Sequence, residues 1–98
     1  MFISNLTHFL DEQGNIAKEM NKTGREMASF LALVVDTATN DYTPSKKTTE
    51  IRCLKKKCTG TINIEVDIID EFIYWSCNKC TDAGRISDWQ KTKWDNRK

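Results

Sequence analysis

The chain has 98 residues, 39% apolar and 30% charged, with a mean hydropathy of -0.58, so it has room for one small domain with a modest core. Its longest apolar run, Phe30 to Val35, is far shorter than the ~20 residues a membrane span needs, which excludes a bilayer-crossing helix. The net charge of +1 conceals an uneven distribution: residues 1–45 hold three Lys/Arg against six Asp/Glu, net -3, and residues 46–98 hold twelve against eight, net +4. That excess would favour an anion such as nucleic acid as a partner of the second half, although it is well below the charge of a dedicated DNA-binding domain.

Residues 2–10 place Phe2, Ile3, Leu6, Phe9 and Leu10 at roughly helical spacing, with Ser4 as an N-cap and Gly14-Asn15 as a stop, which predicts a short helix. Asp11 to Asn15 reads equally as the turn of a small hairpin, because Gly and Asn tolerate positive φ. The first residues carry neither a basic segment nor a small-residue cleavage site, so a cytoplasmic protein is expected.

The clearest helix spans 24–39. Met27, Phe30, Leu31, Val34, Val35 and Ala38 fall on one face, and Thr23 with Glu26 three positions later has the form of a capping box. Asn40 and Pro44 close it, and Asp41 to Glu50, rich in Thr, Ser and Lys, reads as a linker. A boundary near 45 follows, dividing a helical N-terminal segment, 1–45, from a second module, 46–98.

Cys53 and Cys58 open that second module, and Cys77 and Cys80 follow with eighteen residues between the pairs. Each pair places two thiols on one short turn, and a hairpin can fold one turn onto the other, so four sulfurs converge on a tetrahedral site. Soft thiolate donors in that number suit Zn²⁺ at about 2.3 Å. Two disulfides would use the same residues, but paired cysteines in a chain without secretory marks are read as metal ligands. Four thiolates fill the coordination sphere, which argues for a structural rather than a catalytic metal and for a protein that is not an enzyme. A redox or metal-handling role for Cys77 and Cys80 is the alternative of a different class, although no long helix follows that pair as a thioredoxin-like dithiol would require.

Between the pairs, Ile62, Ile64, Val66 and Ile68 alternate with Asn63, Glu65 and Asp67, the period of a strand with one buried face. Asp70-Glu71 supplies a turn, Phe72 to Ser76 a return strand, and Arg85-Ile86 after Gly84 a third strand. The expected fold is α+β: an N-terminal helical segment packed on or linked to a C-terminal three-stranded antiparallel zinc ribbon. The helix stripe would cover the apolar sheet face, since neither element can bury its face alone.

Lys55, Lys56 and Lys57 fill the loop of the first cysteine pair, where they either offset a Zn²⁺–four-thiolate centre of formal charge -2 or contact phosphates. Trp89 and Trp94, beside Lys91 and Lys93, either pack in the core or stack on unpaired bases; Trp75 and Phe72 read as core. His8 is the one histidine, and no catalytic cluster accompanies it. No small-molecule substrate is expected, and a homodimeric protein-docking factor is a further alternative.

The string formed by Trp75, Cys77, Cys80, Gly84, Ile86, Trp89, Thr92, Trp94 and Asp95, with Phe9 to Glu12 and Gly14 to Ile16 upstream, resembles small, functionally uncharacterised prokaryotic zinc-ribbon proteins. The resemblance covers most of the chain and implies zinc held by Cys53, Cys58, Cys77 and Cys80, with no activity attached. Two features depart from that pattern: the first loop has four residues instead of two, and Thr81 stands where glycine often follows the last cysteine. More broadly, the module is similar to the ribbons of transcription and translation factors, most of which dock nucleic acid or protein. The expected function is therefore a zinc-binding interaction module that contacts nucleic acid or a nucleic-acid-handling protein.

Overall fold

The alternation of Ile62, Ile64 and Val66 builds the centre of the molecule. In the computed structural model, which describes residues 2–55 and 57–97, these side chains are buried on strand β3 (Thr61–Asp67). Strand β4 (Phe72–Cys77) returns beside it with Ile73, Trp75 and Cys77 inward, and β5 (Ala83–Ser87) follows with Gly84 and Ile86 inward. Antiparallel pairing sets Ile64 opposite Trp75 and Ile73 opposite Ile86, so every apolar row faces the same side. Helix α1 (Lys22–Asn40) lies on that side, and Leu31, Val34, Val35 and Ala38 join the strand residues in one core. Burying each such aliphatic side chain contributes about 1.5–3 kcal/mol, the main return for ordering so short a chain.

The sheet is larger than the expected ribbon, and this corrects the fold class. It has five strands in the order β1-β5-β4-β3-β2 and is mixed, because β1 (Phe2–Asn5) runs parallel to β5 while the other pairs are antiparallel. The chain is therefore not a helical N-terminal segment attached to a three-stranded antiparallel ribbon.

Residues 2–5 form an edge strand, not the start of a helix. A lone helix of nine residues is marginal in water, whereas the free edge of β5 offers backbone partners to an extended segment. Phe2 then sits opposite Gly84 and stacks on the Trp75 ring, centroids 5.9 Å apart and planes 19° apart. Only Leu6–Phe9 turn, as a 3₁₀ segment capped by the Asn5 side chain. The hairpin alternative at 11–15 is the one realised: Leu10 bridges Ile16, Gly14 has φ 81°, and the Asp11 carboxylate accepts the N–H groups of Gln13 and Asn15.

The other missed strand is β2 (Lys47–Arg52), which begins inside the expected linker, Asp41 to Glu50, and runs two residues past it. Its pairing with β3 is interrupted between Thr48 and Arg52. There the Thr49 hydroxyl donates to the Ile62 carbonyl at 2.7 Å and accepts from Ile51 N–H at 3.1 Å, replacing ladder bonds with a side chain. At the start of α1 the cap is Asn21, whose Oδ1 accepts from Gly24 N–H at 2.8 Å; the Thr23–Glu26 pair lies inside the helix.

Residues after β5 wrap back over the core. Trp89 is fully buried and donates its Nε1–H to the Glu71 carbonyl at 2.8 Å. The Arg97 guanidinium lies 4.4 Å from the Trp89 ring centre and 5.1 Å from that of Tyr42, held by Asp95 and Glu71. Asn96 donates to the Asp36 carbonyl and carboxylate, tying the last residues to α1.

At Gly84 the packing leaves no room for a side chain. A Cβ there would stand 2.6 Å from Trp75 Cε2 and Nε1, so Gly84→Ala has to displace a ring locked between Phe2 and Phe30. The expected loss is about 1–3 kcal/mol of stability, read from the urea midpoint at unchanged slope.

Candidate metal centre

Two turns at one end of the sheet carry the cysteines. Cys53 follows β2, Cys58 closes the loop before β3, Cys77 ends β4, and Cys80 sits in the turn before β5. The register that sets Ile62 opposite Cys77 brings the turns face to face. The four sulfurs lie within 4.8 Å of one another, with Cys53–Cys80 at 3.6 Å and Cys58–Cys77 at 3.5 Å. Four sulfurs around a tetrahedral ion at about 2.3 Å stand about 3.8 Å apart, so the spacing fits a shared metal. A disulfide would need about 2.05 Å, and all four cysteines are free.

Backbone donors surround the sulfurs as they would thiolates. Gly60 N–H points at Cys58 Sγ, and the N–H groups of Lys79 and Cys80 point at Cys77 Sγ, each at 3.4 Å. The backbone of Lys55 does the same for Cys53, and that of Asp82 for Cys80. Glycine is needed at 60, because a Cβ would fall 2.6 Å from Cys77 Sγ.

These donors and burial pull the thiols apart in acidity. The N–H groups of Cys80 and Lys79 lower Cys77 to about 6, while burial pushes Cys53 up to about 12. Cys80 is also raised: the Asp82 N–H favours its thiolate, but burial and the Cys77 sulfur outweigh it. At pH 7 Cys53 and Cys80 are therefore protonated before a metal enters, and both must release a proton to bind it. Calorimetric titration in buffers of different ionisation enthalpy should show at least two protons released per ion at pH 7, and affinity should fall steadily from pH 8 to pH 6.

Asn78 is a residue the spacing pattern did not single out. Its Oδ1 accepts from Thr61 N–H and its Nδ2 donates to Thr61 Oγ1, both at 3.1 Å, while its own N–H reaches the Thr61 carbonyl at 3.0 Å. One side chain thus clamps the second cysteine turn to the strand leaving the first. The signal available in sequence was an Asn directly after a cysteine in a turn, a residue type that bonds nearby backbone.

The proposed nucleic-acid residues do not form one surface. Lys55 and Lys57 are exposed on the first cysteine turn, and Lys56 lies outside the described residues. Trp89 is in the core beside the β3–β4 turn, at the opposite end of β4, roughly 17 Å away at ~3.4 Å per residue. Trp94 is half-buried against the core, Lys91 is exposed with φ 63°, and Lys93 reaches Asn15. The tryptophans are therefore not placed to share a strand of nucleic acid with the cysteine-turn lysines. Exposed Arg52 and Lys79 do join Lys55 and Lys57 around the centre.

Among the described residues no helix is long and apolar enough to cross a membrane. Comparison of the chain with family models, with curated proteins and with solved structures gives no match. The clamp carries its own test: Asn78→Ala should weaken metal binding about 10–100-fold in competition with a chromophoric chelator, with all four ligands intact.

Proposed function

We propose that Cys53, Cys58, Cys77 and Cys80 hold one Zn²⁺ as a structural staple, and that the chain is a non-enzymatic interaction module whose basic metal end contacts nucleic-acid phosphate. The observation that carries the staple is the meeting of four sulfurs within 4.8 Å, ringed by backbone N–H donors. When bound, the ion supplies charge neutralisation and cross-linking; the residues supply a closed set of four soft donors with no position left for a reacting water. Kinship with small zinc-ribbon proteins is part of the same proposal and rests on the motif string alone.

The phosphate contact rests on charge placement. Arg52, Lys55, Lys57 and Lys79 are exposed at one end, and Asp82 is the acidic residue nearest in sequence to the last cysteine. Four thiolates and Zn²⁺ sum to -2, so part of this charge is spent locally and the surplus faces outward. Stacking by Trp89 has no place in this contact, since its ring is buried.

Protein kept reduced should carry one zinc per chain by elemental analysis, and less than half an equivalent would sink the staple. Each Cys→Ser change should lower the zinc content and the melting temperature together. For the contact, anisotropy of a random-sequence oligonucleotide should show binding that weakens steeply with salt. Exchanging Lys55, Lys57 and Lys79 for Gln should flatten that slope without changing zinc content. No binding at tens of micromolar protein would retire the nucleic-acid contact and leave the zinc proposal standing.

A further inference from the structure

The turn between β3 and β4 breaks the usual composition of a hairpin tip. Ile68 and Ile69 occupy it and are 49% and 89% exposed, where Gly, Asn or Ser would hold the turn without apolar surface. The tip is well ordered by its own bonds: Asp67 Oδ1 accepts the N–H groups of Ile69 and Asp70, and Glu71 takes φ 58° to enter β4. The isoleucines are therefore presented by a fixed frame.

Beside the tip is a groove of about 330 Å³ with apolar walls from Pro44, Ile68, Ile69 and Tyr74 and carboxylates from Glu65 and Asp67. No Lys or Arg lines it among the described residues. Exposed Asp70 follows Ile69 in the same turn, Glu71 is engaged by Arg97, and Lys46 lines an adjoining hollow that shares Glu65 and Tyr74 with the groove. The groove is thus apolar inside and acidic at its edge, at the end of the sheet opposite the basic cysteine turns.

We propose that this groove docks a basic polypeptide segment, one apolar side chain of which fills it while flanking Lys or Arg meet Glu65, Asp67 and Asp70. The size suits one large side chain, and a wall that is mostly in water cannot enclose a small molecule as a ligand pocket does. Nucleic acid is repelled by the carboxylates, whereas a basic segment gains both from removing Ile68 and Ile69 from water and from charge complementarity. This inference is independent of the phosphate contact and of the metal's identity, because it uses other residues at the other end. The module then has two faces of opposite chemistry, joined by rigid strands.

The test uses the full metal-loaded chain and a fluorescein-labelled nine-residue peptide with a central Leu between lysine pairs, read by anisotropy at low salt. Saturable binding is expected, at least five-fold tighter than for an Ala-centred or Glu-flanked peptide. Ile69→Ser should weaken it at least five-fold, and Glu65→Gln with Asp70→Asn about three-fold with a flatter salt dependence. All three positions are exposed, so far-UV dichroism and melting should be unchanged. Amide shifts on titration should centre on residues 65–74. Equal binding of the control peptides, indifference to Ile69→Ser, or shifts centred on Lys55 and Lys57 would overturn the proposal. So would self-association in sedimentation that Ile69→Ser abolishes, since that would assign the groove to a second copy, whose Leu54 is also followed by lysines.

Discussion

Four sulfur atoms confined within 4.8 Å of one another form an arrangement that a chain cannot hold cheaply on its own. As thiolates they repel across a partly buried space, and as thiols they would leave their converging N–H donors poorly matched. A divalent cation resolves both difficulties, and the ordering of the sheet end then becomes part of the binding free energy. The ion would cross-link the end of β2 to the end of β4 through β3, so the pairing of Ile62 with Cys77 and the placement of the sulfurs require each other. A core of this size benefits from such a cross-link more than a large one would.

The other end of the sheet is closed by different means. Arg97 stacks on Trp89 and Tyr42 while Asp95 takes two of its N–H groups and Glu71 a third, so a charge is accommodated against aromatic faces with its donors paired. Burial opposes ionisation of Asp95, but bonds from Arg97 and Lys91 hold its carboxyl below the usual range. Trp89 is the centre of this closure, which is why a tryptophan among basic residues near the end of the sequence is core rather than surface. Its Nε1–H finds the carbonyl of a turn residue, satisfying the polar edge of an otherwise apolar ring.

The parts of the fold legible in sequence are those whose period is strong and whose partners are near. The α1 stripe and the β3 and β4 alternation depend on side chains every three to four or every two residues, and β4 pairs with its immediate predecessor. The cysteine cluster was legible because its turns flank that same hairpin. The edges were not. Lys47 to Arg52 has polar residues where a central strand would have apolar ones, and it becomes a strand by pairing with β3 through a bulge that Thr49 fills. Phe2 to Asn5 fits a helix as well as a strand, and what decides is a groove over Gly84 and Trp75, more than 70 residues away. The helix start moved by two residues because Asn21 wins the capping position over Thr23.

The parallel pairing of β1 with β5 has a consequence for how the chain is made. Phe2 leaves the ribosome 82 residues before Gly84, its partner, and at ~5–20 residues per second that is roughly 4–16 seconds of synthesis. Throughout that interval β1 has no ladder to join. The antiparallel strands have short connections and can pair as they emerge, whereas β1 docks only after closing a loop of 82 residues between Phe2 and Gly84. The β1–β5 pair is thus the contact of greatest sequence separation in the sheet, and β1 can join its ladder only once β5 is in place.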